Sequence, residues 1–170
     1  MTRGDLIHKW LVYALGCLPV WLLDAYILPR YPLMGVAPML LPLAVAAVAV
    51  LEGAYAGTGF GLGVGLLWEL AYPGGFGFLV ITLSLAGMMI GAVSQFVLSR
   101  SFPSCFLCCA GLLLLLDGLR VARGLITNAA PLVDLLRVAV PELLLSLAWT
   151  PVVWLIFGAV HRRVGGSRLA

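Results

Sequence analysis

Charge is what this chain has least of. Only 10% of its 170 residues are Asp, Glu, Lys or Arg, 63% are hydrophobic, and mean hydropathy is +1.13. A soluble domain of this size needs a polar surface that this composition cannot supply. An integral membrane protein is the class that remains. A long polar linker is missing too, so one compact transmembrane domain over residues 1–170 is expected. The net charge of +3 is small, and the longest Lys/Arg run, Arg162–Arg163, is too short for a nucleic-acid tract.

Histidine and cysteine are scarce as well. His8 and His161 stand near opposite ends of the sequence beside basic residues and read as interfacial groups. Cys105, Cys108 and Cys109 have a metal-like spacing but no neighbouring histidine or second cysteine pair, and zinc needs four ligands. With Cys17 they read as buried thiols on membrane helices, without a disulfide framework. There is no G-x-S-x-G turn, no H-E-x-x-H and no phosphate loop; Gly57-Thr58-Gly59-Phe60-Gly61 lacks a lysine. No catalytic, metal or cofactor-binding residue is expected, and the expected class is non-enzymatic.

Glycine is abundant, and it is patterned. Gly53, Gly57, Gly61 and Gly65 recur every four residues, and Glu69 continues the series. A step of four drifts only about 40° round a helix, so these glycines form one slowly winding stripe. Gly59 and Gly63 are expected to widen it. Each glycine costs a helix in water roughly 1 kcal/mol against alanine. In hydrocarbon the backbone must satisfy itself, and glycine lets a second helix approach closely. The stripe predicts a transmembrane packing spine. Ser84, Gly87, Gly91 and Ser94 make a second smooth face, and the two predict a tight hairpin of consecutive spans, the alternative being that one face is exposed and receives another protein.

A spanning helix needs about 20 mostly apolar residues. Six stretches qualify: about 10–28, 35–51, 53–72, 76–98, 103–120 and 138–160, an all-α polytopic bundle. The second and third abut at Glu52–Gly53, and Tyr72-Pro73-Gly74-Gly75 predicts a turn between the third and fourth. Leu125–Arg137 is too polar and short to span and is expected to be an interfacial or re-entrant piece. The start mimics a signal peptide but its apolar run continues past Cys17, so an uncleaved first helix is expected. An even number of spans puts six basic residues (Arg3, Lys9, Arg100, Arg162, Arg163, Arg168) on the side of the termini. Arg30, Arg120, Arg123 and Arg137 fall opposite, which favours cytoplasmic termini.

Acids inside a membrane are costly and therefore informative. Asp24 and Glu52 lie near helix ends, where headgroup water can reach them. Glu69 ends the glycine stripe and is either interfacial or bonded across a helix pair. Asp117 with Arg120, and Asp134 with Arg137, have the i,i+3 spacing of local ion pairs. Pro141-Glu142 fits a helix N-terminus, where the dipole favours an acid. Pro151 predicts a kink in the last span, which Thr150 can satisfy locally. Glu69, Asp117, Glu142 and Arg137 are the candidate polar or partner sites. The helix-packing set is Gly53, Gly57, Gly61, Gly65, Gly87 and Gly91.

In order along the chain, these features resemble the bacterial rod shape-determining protein MreD family. The resemblance rests on Leu28-Pro29-Arg30-Tyr31-Pro32-Leu33-Met34-Gly35-Val36-Ala37-Pro38, on the glycine-rich stretch Gly57 to Leu70, on the turn Pro73 to Gly77, and on Leu135-Leu136-Arg137 through Pro141-Glu142 to Ser146. Glu69 stands where that family usually has aspartate, and Leu145-Ser146 where Tyr-Asn is common. The resemblance implies a multi-pass, non-enzymatic component of the cell-elongation machinery in the bacterial cytoplasmic membrane, serving peptidoglycan synthesis and cell shape. The implied partners are membrane lipid, an MreC-type periplasmic protein, MreB filaments, and the glycosyltransferase and transpeptidase of the rod complex. The fold it implies is similar to the substrate-binding subunits of energy-coupling-factor vitamin transporters, so a small-molecule binding subunit is the alternative. Those subunits usually present an alanine-spaced face on the first helix; here Leu18 follows Ala14 at i+4, and Pro29 follows Ala25.

Overall fold

A computed structural model describes residues 3–30, 36–71, 77–96, 101–127 and 131–165. Six helices run through them: α1 Arg3–Leu22, α2 Leu41–Glu52, α3 Ala54–Ala71, α4 Phe78–Phe96, α5 Phe102–Ile126 and α6 Leu132–Gly165. A π-helical turn, Leu23–Ile27, and a short 3-10 turn, Leu28–Arg30, extend α1. The predicted turn at residues 72–75, residues 31–35 of the first motif, and Arg100 and Arg168 lie outside the described residues. Four helices are long and apolar enough to cross a membrane: His8–Ile27, α4, α5 and α6. The chain is an all-α polytopic membrane bundle.

The centre of that bundle is α2. Every residue from Leu41 to Leu51 is buried, and the helix touches α1, α3, α4, α5 and α6. An apolar character on all sides fits a helix with no outer face. At 12 residues it is about 18 Å long, well short of the roughly 30 Å hydrocarbon core. The expected second span over 35–51 is therefore corrected. Residues 37–40 are non-helical and Pro42 sits in the first turn of α2, where its missing N–H costs nothing. Irregular backbone at membrane depth is tolerated only when protein covers it, and Pro38, Met39 and Leu40 are buried.

The last two helices are longer than the sequence suggests. Leu125–Ile126 closes α5 and Leu132–Arg137 opens α6, so Leu125–Arg137 is not a separate interfacial piece. Helix α6 begins beyond Pro131, whose carbonyl accepts the Asp134 N–H at 3.1 Å, and runs on through Pro141 and Pro151. Glu142 is thus inside a helix, not at its start. Thr150 is buried and turned toward Cys109 of α5 instead of bonding back within its own helix. The starts of α1, α3 and α5 lie at one end of the bundle with the C-terminal ends of α2, α4 and α6. Tyr13, Phe60 and Phe157 tie that end together, with ring centroids 6.4 Å apart for Tyr13–Phe157 and 5.7 Å for Phe60–Phe157.

Candidate functional site

Helices α3 and α4 make the most extensive contact of any pair, and glycine makes it possible. A Cβ on Gly65 would lie 2.6 Å from the Val80 Cα. One on Gly61 would strike the Leu83 carbonyl, one on Gly57 the Gly87 carbonyl, and one on Gly91 the backbone of Ala54. As the α3 number falls the α4 number rises, which is the register of an antiparallel pair in backbone contact. Gly57 and Gly87 also meet α2: added Cβ atoms would lie 2.7 Å from the Ala49 Cβ and 3.2 Å from a Val45 methyl, respectively. Ser84 and Ser94 hydroxyls donate to the Thr58 and Ala49 carbonyls, both at 3.4 Å. Gly53 is the entire connection between α2 and α3. Its φ of +96° suits glycine, and its N–H caps α2 by donating to the Ala49 carbonyl at 2.9 Å. Gly59 and Gly63 are corrected: both are exposed, and a Cβ on Gly63 would meet nothing within 4 Å.

Beside Gly53, Glu52 joins three helices. Its carboxylate forms an ion pair with Lys9 of α1, accepts the Tyr13 hydroxyl at 2.7 Å, and lies 2.9 Å from Nδ1 of His161 on α6. Tyr13 and His161 are themselves 3.2 Å apart. Glu52 does lie at a helix end, and His161 near one, both partly buried, but they are each other's partners and not separate interfacial groups. Nothing local in the sequence signals this, since Lys9 and His161 stand 43 and 109 residues away.

A second polar group caps the opposite end of α2. The Leu40 N–H donates to Oδ1 of Asp24 at 2.7 Å, and the Met39 N–H donates to the Ser146 hydroxyl at 2.9 Å. Ser146 in turn donates to the Glu142 carbonyl at 2.7 Å. Leu40 is the N-cap of α2, so Asp24 serves the helix start and its carboxylate complements the helix dipole, while Ser146 holds the non-helical Met39 that precedes it. The π-helical turn at 23–27 carries Asp24, which is buried instead of meeting headgroup water. Ser146 thus holds the break before α2.

The expected local ion pairs do not form among the described residues. Arg120 donates from Nη1 to Oε2 of Glu142 on α6 at 2.6 Å, and its Nη2 lies 3.7 Å from the Met39 sulfur. Asp117 is buried, and neither of its carboxylate oxygens has a hydrogen-bond partner there. Asp134 and Arg137 are both exposed and unpaired among the described residues; an i,i+3 pair at a surface is worth only a few tenths of a kcal/mol. Glu69 is half-buried, and its Oε1 has no partner among the described residues. The candidate acids thus separate: Glu142 sits beside the start of α2, Asp117 near it, and Glu69 at the end of the ridge. Cys105 and Cys109 are free thiols with sulfurs 3.9 Å apart, and no metal-ligating cluster occurs among the described residues. Comparison with family models, curated proteins and solved structures finds no match.

Proposed function

We propose that this chain is a non-enzymatic scaffold of the bacterial cytoplasmic membrane, in the manner of MreD proteins, supporting peptidoglycan elongation and cell shape within a rod complex. One observation carries the reading: the stretches that give the resemblance meet around α2. Residues 36–38 lead into it, Gly57 abuts it through Ala49, and Ser146 holds Met39 just before its N-cap. Their shared work is to hold a rigid bundle together, which is what a scaffold needs. The partners on this reading are an MreC-type periplasmic protein, MreB filaments, and the rod-complex glycosyltransferase and transpeptidase.

The transporter-subunit alternative requires a ligand chamber. Among the described residues, the recess at the start of α2 holds about 160 Å³, room for part of a ligand but less than the roughly 300 Å³ at which pockets that enclose a whole small molecule begin. Gentle solubilisation of membranes carrying the tagged chain, followed by mass spectrometry of what co-purifies, tests the proposal. Recovery of cell-wall elongation proteins supports it. Their absence, or a retained vitamin, overturns it.

A further inference from the structure

Helices α4 and α5 make little contact with each other. In the gap between them, at the end where α2 begins, lies the recess of about 160 Å³. Buried Met39 lines its inner side, Phe78 of α4 lines it as well, and one face of α5 closes it with Leu116, Leu119, Arg120 and Arg123. That i, i+3, i+4, i+7 spacing is a single helical stripe. Along about 10 Å of α5 axis it changes from two leucines to two arginines. Arg123 is the 22nd residue of α5, about 32 Å from the helix start, which is headgroup depth for a helix crossing a 30 Å core.

The two guanidinium groups have donors to spare. Arg120 commits Nη1 to Glu142 and rests Nη2 against the Met39 sulfur, while the exposed Arg123 has no side-chain partner among the described residues. Guanidinium forks match phosphate oxygens, and basic pockets between membrane helices suit anionic headgroups. A free anion would use the arginines but leave the apolar wall empty; a neutral lipid would do the reverse.

We propose that this recess binds one anionic membrane phospholipid, with its phosphate on Arg120 and Arg123 and the first part of an acyl chain along Leu116 and Leu119. The inference does not rest on the scaffold reading, because it needs no protein partner.

The test is native mass spectrometry of the purified full chain titrated with phosphatidylglycerol and with phosphatidylcholine of the same acyl chains. Phosphatidylglycerol binds at least about fivefold more tightly, the factor expected of one cationic side chain at a membrane surface. Arg123→Gln removes that preference and Arg123→Lys restores most of it. Leu119→Trp fills the recess and weakens binding with the charges intact. Arg162→Gln, exposed in the last turn of α6 at the opposite end of the bundle, leaves the preference unchanged. Equal binding of the two lipids overturns the proposal, as does an unaltered Arg123→Gln protein or an equal loss in Arg162→Gln. Displacement of the lipid by excess inorganic phosphate overturns it too, by assigning the site to a free anion. Circular dichroism and thermal unfolding confirm that each variant compared is folded.

Discussion

Gly57 and Gly87 face each other across α3 and α4 so closely that a Cβ on either would run into the other's carbonyl. Val45 and Ala49 of α2 close the third side of that junction. Between helices that gain nothing from leaving lipid, close van der Waals contact and small residues supply the attraction. The glycine ridge is therefore the element that lets three helices share one axis of contact.

Leucine at Gly61 has no room. The Leu83 carbonyl and the Ser84 backbone occupy the space, and backbone cannot turn aside as a flexible side chain can. Gly61→Leu is expected to destabilise by about 1–3 kcal/mol or more, the range for overpacked cores. It should lower membrane protein levels more than Glu69→Gln does and, on the proposed scaffold role, broaden cells more as well. Immunoblotting of membranes together with cell-width measurement checks this; normal levels and normal width would contradict it.

Glu52 holds Lys9, Tyr13 and His161 at one point, so its loss strands three polar groups on two other helices. Glu52→Ala is expected to destabilise by about 1.5–3 kcal/mol, the range for hydrogen bonds to a charged group. Thermal unfolding in detergent of Glu52→Ala, Lys9→Ala and the double variant measures the coupling. The double variant should lose less than the two single losses added together.

The start of α2 depends on Asp24 and Ser146. Asp24→Asn keeps an oxygen that can accept the Leu40 N–H, whereas Asp24→Ala leaves a buried N–H unpaired. The alanine variant should therefore be the less stable, by about 1 kcal/mol or more. Hydrogen exchange localises the effect: the first turn of α2 should lose protection ahead of the glycine ridge.

Removing Arg120 leaves the Glu142 carboxylate buried without its partner, while removing both ends of the pair does not. Arg120→Ala should destabilise more than the double variant Arg120→Ala/Glu142→Gln. A thermal shift assay decides the order, and the reverse order would show that the pair is not what covers Glu142.

The parts of this architecture visible in the sequence are those with a local period. The four-residue glycine register fixes one helix face because a helix repeats nearly every four residues, and Gly53 beside Glu52 marks a connection with no length to spare. The extent of α2 is hidden because residues 35–51 are almost uniformly apolar, and composition cannot distinguish buried coil from helix. Pro42 carries the missed signal, since a proline there fits a first turn. At α6 the same rule misleads: Pro141 has the look of a helix start, but Pro131, with Asp134 three residues on, is the one that precedes it. Neither the Glu52 cluster nor the Asp24–Leu40 bond leaves a trace in local pattern, because their members meet only after the helices pack.

An alanine scan of the glycines, scored by thermal unfolding of the purified full chain, tests the ridge most directly. Alanine is the better helix former by roughly 1 kcal/mol, so a glycine in open space should tolerate it or gain. Gly63, Gly111, Gly118 and Gly158 have nothing within 4 Å of an added Cβ, whereas Gly57, Gly61, Gly87 and Gly91 would meet backbone. Alanine is expected to leave stability unchanged or raise it at the first four positions and to lower it at the second four. Equal effects in the two sets, or losses confined to the open positions, would contradict the packing role of the ridge.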